Sequence, residues 1–155
     1  MPPGAKIITV SDSAYRGERE DRSGPAVVAL LEQYGFDVVE RRVVPDGADP
    51  VATMIRDLAV DFAGAILTTG GTGFAPTDQT PEGTQAVLER EAPGLAEAMR
   101  AINPLGRLSR GAAGTIGHCI VLNLPGSTAG AVECLEAVID VLPHALELLS
   151  GGSPH

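Results

Sequence analysis

The chain has 155 residues, enough to bury one core without disulfides or a structural metal, and with 44% hydrophobic but only 3% aromatic residues that core is aliphatic. Eleven basic against twenty acidic residues leave a net charge of −9 with no local basic stripe, which excludes a nucleic-acid backbone as the expected partner. No apolar run approaches the roughly 20 residues of a membrane helix, and the start MPPGAKIITV lacks a signal-peptide pattern, so the expectation is a cytoplasmic protein with no membrane partner.

Short aliphatic runs alternate with helical patterns. Lys6–Val10 reads as a first strand, and Ser23-Gly24-Pro25 as a cap and proline opening a helix that stops at Gly35. Phe36–Val44 is a second strand, and Asp49-Pro50 opens a second helix, VATMIRDLAV. Gly64–Thr69 is a third strand running into Gly70-Gly71-Thr72-Gly73. Thr80-Pro81 starts the helix TPEGTQAVLERE, and after Pro93-Gly94 the segment LAEAMRAI continues helically. From Leu108 the pattern is glycine-spotted until the strand Cys119–Leu124. Pro125-Gly126-Ser127 then turns into a long last helix, AGAVECLEAVIDVL, interrupted or kinked at Pro143. The order predicts a three-layer α/β/α fold with a mostly parallel, doubly wound sheet. It reads as one domain over residues 1–155 with a frayed tail at about 151–155.

In such sheets ligands sit beyond the carboxyl ends of the strands, at a topological switch point. Three polar segments fall there: Ser11-Asp12, Thr68 to Gly73, and Pro125-Gly126-Ser127. Glycines let the backbone approach a phosphate, and helix N-termini present unpaired N–H donors. The run TTGGTG is followed by no lysine and so is not a Walker loop. Asp78, between Pro76 and Pro81, suits Mg²⁺, which takes one or two carboxylates plus phosphates and waters, and Asp46 in Pro45-Asp46-Gly47 suits a second carboxylate. On the residues alone, Asp78 or Thr80 as a helix cap and Asp46 as a turn residue are the favoured readings. Cys119 and Cys134 lack metal or disulfide spacing and read as buried apolar residues; His118, His144 and His155 read as surface or strand residues.

The segments VSDS…DRSGP, VVPDG, LTTGGTGFAPTDQTPE, LSRGAAGTIG and LNLPGSTAGAVE resemble, in order and spacing, the motifs of the MogA/MoaB family, which includes the gephyrin G domain. The resemblance runs from about Lys6 to Leu149. It implies molybdopterin as substrate, adenylylated by Mg-ATP with release of pyrophosphate ahead of molybdate insertion. It also implies a homotrimer and contact with a molybdate-insertion protein. Asp78 and Asp46 match the family's catalytic and metal-binding acids, Gly70 to Gly73 its glycine loop, and Ser109, Gly126 and Ser127 positions lining its pterin and nucleotide pockets. Ser11, Asp12, Thr69 and Glu82 complete the expected binding set. For Ser109, the residues alone favour an ordinary loop hydroxyl.

The chain departs from the pattern where many relatives carry cations. Ser13 and Thr77 stand in place of Arg, and Thr128-Ala129 in place of Pro-Lys. Arg16, Arg22, Arg107 and Arg110 are candidates to compensate, with Arg107 and Arg110 placed nearest the site. The missing cations favour an alternative to the enzyme: a carrier or scaffold that holds molybdopterin without nucleotide chemistry.

Overall fold

The computed structural model describes residues 2–152; the expected frayed end at 153–155, His155 included, lies outside them. Six strands, β1 (Gly4–Val10), β2 (Asp37–Val44), β3 (Ala63–Thr69), β4 (Arg90–Glu91), β5 (Ala113–Ile116) and β6 (His118–Leu124), form one sheet in the order β2-β1-β3-β6-β5-β4. The first four in that order are parallel, β5 runs antiparallel to β6, and β4 antiparallel to β5. The chain moves outward from β1 to β2, then returns to place β3 on the other side of β1. The switch point therefore lies between the ends of β1 and β3, where Thr9 is in register with Thr69.

The helices are α1 (Asp12–Tyr15), α2 (Ser23–Gln33), α3 (Ala48–Ala59), α4 (Thr80–Gln85), α5 (Pro93–Ala101), α6 (Thr128–Glu136) and α7 (Leu142–Leu149), with 3₁₀ turns at Pro104–Leu108 and Ile139–Val141. Strand side chains alternate between two cores. Ala5, Ile7, Ala65, Leu67, Ile120 and Leu122 join the side chains of α2, α5, α6 and α7. Ile8, Val10, Ile66, Cys119 and Val121 join Val51, Ile55 and Leu58 of α3. Burial on both faces is why the central strands read as unbroken aliphatic runs.

Two boundaries differ from the sequence reading. The helix opened by Thr80 ends at Gln85 instead of running to Glu91, because Glu89 N–H donates to Thr115 O and the chain enters the sheet edge as β4. Pro93 starts α5 rather than preceding it. Of the two outcomes expected at Pro143, the structure shows interruption: the last helix divides before it, and Pro143 occupies the first turn of α7. The short α1 was not expected; Ser11 Oγ caps it by accepting Ala14 N–H at 3.2 Å.

Candidate functional site

A cleft of about 600 Å³ opens over the ends of β1 and β3, lined among others by Ser11, Asp46, Gly70, Gly71, Asp78 and Ser127. Its floor depends on glycine. Gly70 and Gly71 have φ of +100° and +70°, and a Cβ would collide with Val10 O at the first and Thr80 Oγ1 at the second. Thr80 fixes this turn, donating from Oγ1 to Gly70 O at 2.9 Å and from its N–H to Gly71 O at 3.0 Å. The loop after β6 closes over it, so that a Cβ on Gly126 would stand 3.3 Å from Gly70 Cα. Ser127 Oγ caps α6 by accepting Gly130 N–H at 3.1 Å, and Thr69 Oγ1 meets Ser23 Oγ at 3.0 Å.

Asp12 and Asp46 hold each other. Asp12 N–H donates to Asp46 Oδ2 at 3.1 Å and Asp46 N–H to Asp12 Oδ1 at 3.0 Å, which ties the β1 and β2 ends together. Burial pushes the Asp46 carboxyl above its ordinary value, and the charges of Asp12 and Asp78 push in the same direction. Asp78 does not cap α4: Gln79 occupies the cap position, and Asp78 Oδ2 accepts Ala75 N–H at 3.0 Å within its own loop. Among the described residues no three His, Cys, Asp or Glu side chains converge as a ready-made metal cage. Asp46 and Asp78 both line the cleft, and one or two carboxylates are the set that Mg²⁺ takes from a protein when phosphates and water complete its shell.

The arginines fall out differently from the sequence reading. Arg19 and Arg22 line the cleft. Arg16 pairs with Glu18 on the surface, and Arg107 bonds back to Pro104 O. Arg110 is taken up by Glu82 and by the glycine loop, and Glu82 lies outside the cleft lining in that ion pair, its carboxyl held below the usual range by the guanidinium. Arg19 was missed because nothing in its local sequence shows that the turn after α1 folds back over β3.

A second pocket, of about 220 Å³, continues from the cleft past Ser127 between α5, the 3₁₀ turn at Pro104–Leu108 and α6. Met99, Ile102, Leu105 and Pro125 supply an apolar lining, with Asn103, Glu133 and Ser109 as polar groups. A groove of about 330 Å³ lined by Thr72, Gly73, Leu108 and Ser109 joins the two regions. Asn123 lines the second pocket; it holds Ala112 N–H on Oδ1 and donates from Nδ2 to Thr68 and Thr84 hydroxyls, all at 3.0 Å. A lone Asn inside CIVLNL was the available signal for this buried network. Cys119 is buried as expected, while Cys134 is only half-buried and lines the pocket; neither is in a disulfide. His118 is exposed at the start of β6 and His144 lies in α7.

The expected binding positions Ser11, Thr69, Gly70, Gly71, Thr72, Gly73, Ser109, Gly126 and Ser127 thus face one continuous surface. Asp12 stands beside it, held by Asp46.

Comparison with known proteins places this surface in a family. Residues 6–144 match the family model described as "Probable molybdopterin binding domain". The structure is similar to that of the molybdopterin biosynthesis enzyme MoaB from Thermus thermophilus, with a TM-score of 0.90 and 46% identity over 96% of this chain and 97% of that one. A molybdopterin adenylyltransferase from Helicobacter pylori is 34% identical over 94% of the chain and 86% of its own length. The cinnamon molybdenum cofactor synthesis protein of Drosophila melanogaster is 37% identical over 92% of the chain, which spans only 25% of that larger protein. The chain belongs to the MogA/MoaB family of molybdenum cofactor biosynthesis proteins.

Proposed function

We propose that the chain adenylylates molybdopterin with Mg-ATP, and that its single molybdopterin-binding unit accounts for the whole of residues 1–155. The observation that carries this reading is the division of one surface into a polar cleft whose lining includes Asp46 and Asp78 and an adjoining apolar pocket. A phosphate oxygen of the pterin attacks the α-phosphorus of ATP, a P–O bond forms, and pyrophosphate leaves. Positioning and charge neutralisation are the principal demands of such a transfer.

The chain's own groups meet those demands in different ways. Gly70, Gly71 and Gly126 let the backbone approach phosphate, and the start of α6 directs N–H groups to the same place. Arg19 and Arg22 supply the cleft's cationic charge, beside Glu20 and Asp21 in the same lining. Asp46 and Asp78 are the residues to hold Mg²⁺, whose chemistry is to neutralise phosphate charge during the transfer. The apolar pocket takes one of the two heterocycles, with Asn103 and Glu133 available to its polar edge. Ser109 and Ser127 lie where the two substrates meet.

Alongside the activity we place the protein in the cytoplasm as a homotrimer that passes its product to a molybdate-insertion protein. The described residues include no helix long and apolar enough to cross a membrane.

A second reading, a carrier that binds molybdopterin without nucleotide chemistry, is favoured by one observation. The cleft's cations are two exposed arginines, while Ser13, Thr77, Thr128 and Ala129 offer none. Mass spectrometry of the purified protein incubated with molybdopterin and Mg-ATP separates the two. Adenylylated pterin supports the enzyme, and pterin retained unchanged supports the carrier.

A further inference from the structure

Arg110 was a candidate to meet an anionic ligand, yet its guanidinium faces the protein's own backbone. The guanidinium donates from Nε to Gly73 O at 2.8 Å and from Nη2 to Asp78 O at 2.7 Å, and the backbone N–H of Arg110 donates to Thr72 O at 2.8 Å. Glu82 on α4 holds the other side of the fork, at 2.6 Å from Nη1 and 3.3 Å from Nη2. One residue thus grips the glycine loop at both ends of 73–78. The other hydrogen bonds to that span are Asp78 N–H to Ala75 O at 2.9 Å, Ala75 N–H to Asp78 Oδ2 at 3.0 Å and Gln79 Nε2 to Pro76 O at 3.4 Å. Phe74 is 71% exposed, so apolar packing does little to hold the segment.

We infer that Arg110, backed by Glu82, is a positioning residue that sets where the Asp78 carboxylate points into the cleft. The neighbours of Arg110 extend its reach. Ser109 and Gly111 line the apolar pocket while Asp78 lines the polar cleft, so Arg110 joins the two halves of the surface. Its planar fork reaches three acceptors at fixed angles, which a lysine ammonium on a flexible stem cannot reproduce. Charge alone is therefore insufficient.

This inference rests on the adenylyltransferase reading, and the test separates the two. Arg110→Lys, Arg110→Ala and Glu82→Gln are compared with the unaltered protein by hydrogen exchange of the 73–78 amides and by pyrophosphate release as a function of Mg²⁺ and molybdopterin. The lysine variant is expected to exchange faster at Ala75 and Asp78. Its kcat should fall about tenfold to a hundredfold and its half-saturating Mg²⁺ should rise, with KM for molybdopterin within about threefold of the unaltered protein. Glu82→Gln keeps an acceptor oxygen and should show the same pattern more weakly. Unchanged exchange in Arg110→Lys overturns the clamp. Faster exchange with unchanged Mg²⁺ dependence and kcat overturns the positioning of Asp78 and leaves a purely structural residue. Absence of pyrophosphate from the unaltered protein overturns the adenylyltransferase reading and with it the positioning role, while the exchange data still decide the clamp.

Discussion

The two halves of the ligand-facing edge are built from different materials. Over β1 and β3 the cleft consists of turns, glycines and carboxylates placed by strand ends and held by bonds such as the exchange of backbone N–H for carboxylate between Asp12 and Asp46. Beside β6 the pocket consists of side chains from α5, the 3₁₀ turn and α6, with Leu105 72% exposed at its rim. The first handles charge, where small displacements matter most. The second handles shape, and tolerates substitution of comparable volume. On the proposed function, the difference predicts that chemistry and recognition fail separately when disturbed.

The largest expected effect is on the charged half. Asp78→Asn removes one carboxylate charge while leaving the loop's acceptor oxygen for Ala75 N–H. It should lower the kcat of pyrophosphate release by about 100- to 1000-fold, the range for a lost electrostatic group at a reacting phosphate, with molybdopterin affinity nearly unchanged. Full turnover in this variant would merge the two halves and remove the metal role. Next in size is the floor of the cleft. Gly70→Ala forces a Cβ onto the Val10 carbonyl at φ +100° and should cost about 2–3 kcal/mol in urea unfolding.

On the apolar half, Ala129→Phe crowds the pocket mouth. Titration calorimetry should show about tenfold weaker binding of either molybdopterin or ATP, and whichever weakens identifies the heterocycle housed there. If neither changes, the pocket is not a substrate site.

The smallest effect concerns Asp46 in metal-free protein. Its carboxyl is raised in the folded state, by burial first, so the folded protein binds the proton more tightly than the unfolded chain and stability falls as pH rises through that range. Asp46→Asn should therefore be slightly more stable than the unaltered protein in urea unfolding at pH 7, by no more than about 0.5 kcal/mol because the group is partly solvated. The advantage should vanish as pH drops below the ordinary carboxylate range. Added Mg²⁺ should stabilise only the unaltered protein.

Legibility in the sequence follows the same division. The parallel strands and the polar turns at their ends could be read, because a doubly buried strand is a continuous aliphatic run and a phosphate-approaching turn needs glycine in a fixed place. β4 and β5 could not, being two and four residues long with no period to detect. The apolar pocket was equally hidden, since Met99, Leu105 and Cys134 come from three separate segments whose meeting depends on how α5 and α6 pack. Arg110 was seen as a cation near the site; that it grips carbonyls required the path of the loop it holds.

The most direct test of the central claim is the stoichiometry of pyrophosphate released when the purified protein is mixed with molybdopterin, ATP and Mg²⁺. The account predicts one pyrophosphate per pterin consumed, dependent on Mg²⁺ and abolished when either substrate is withheld. Tight molybdopterin binding with no pyrophosphate above the protein-free control would contradict it and make the chain a carrier.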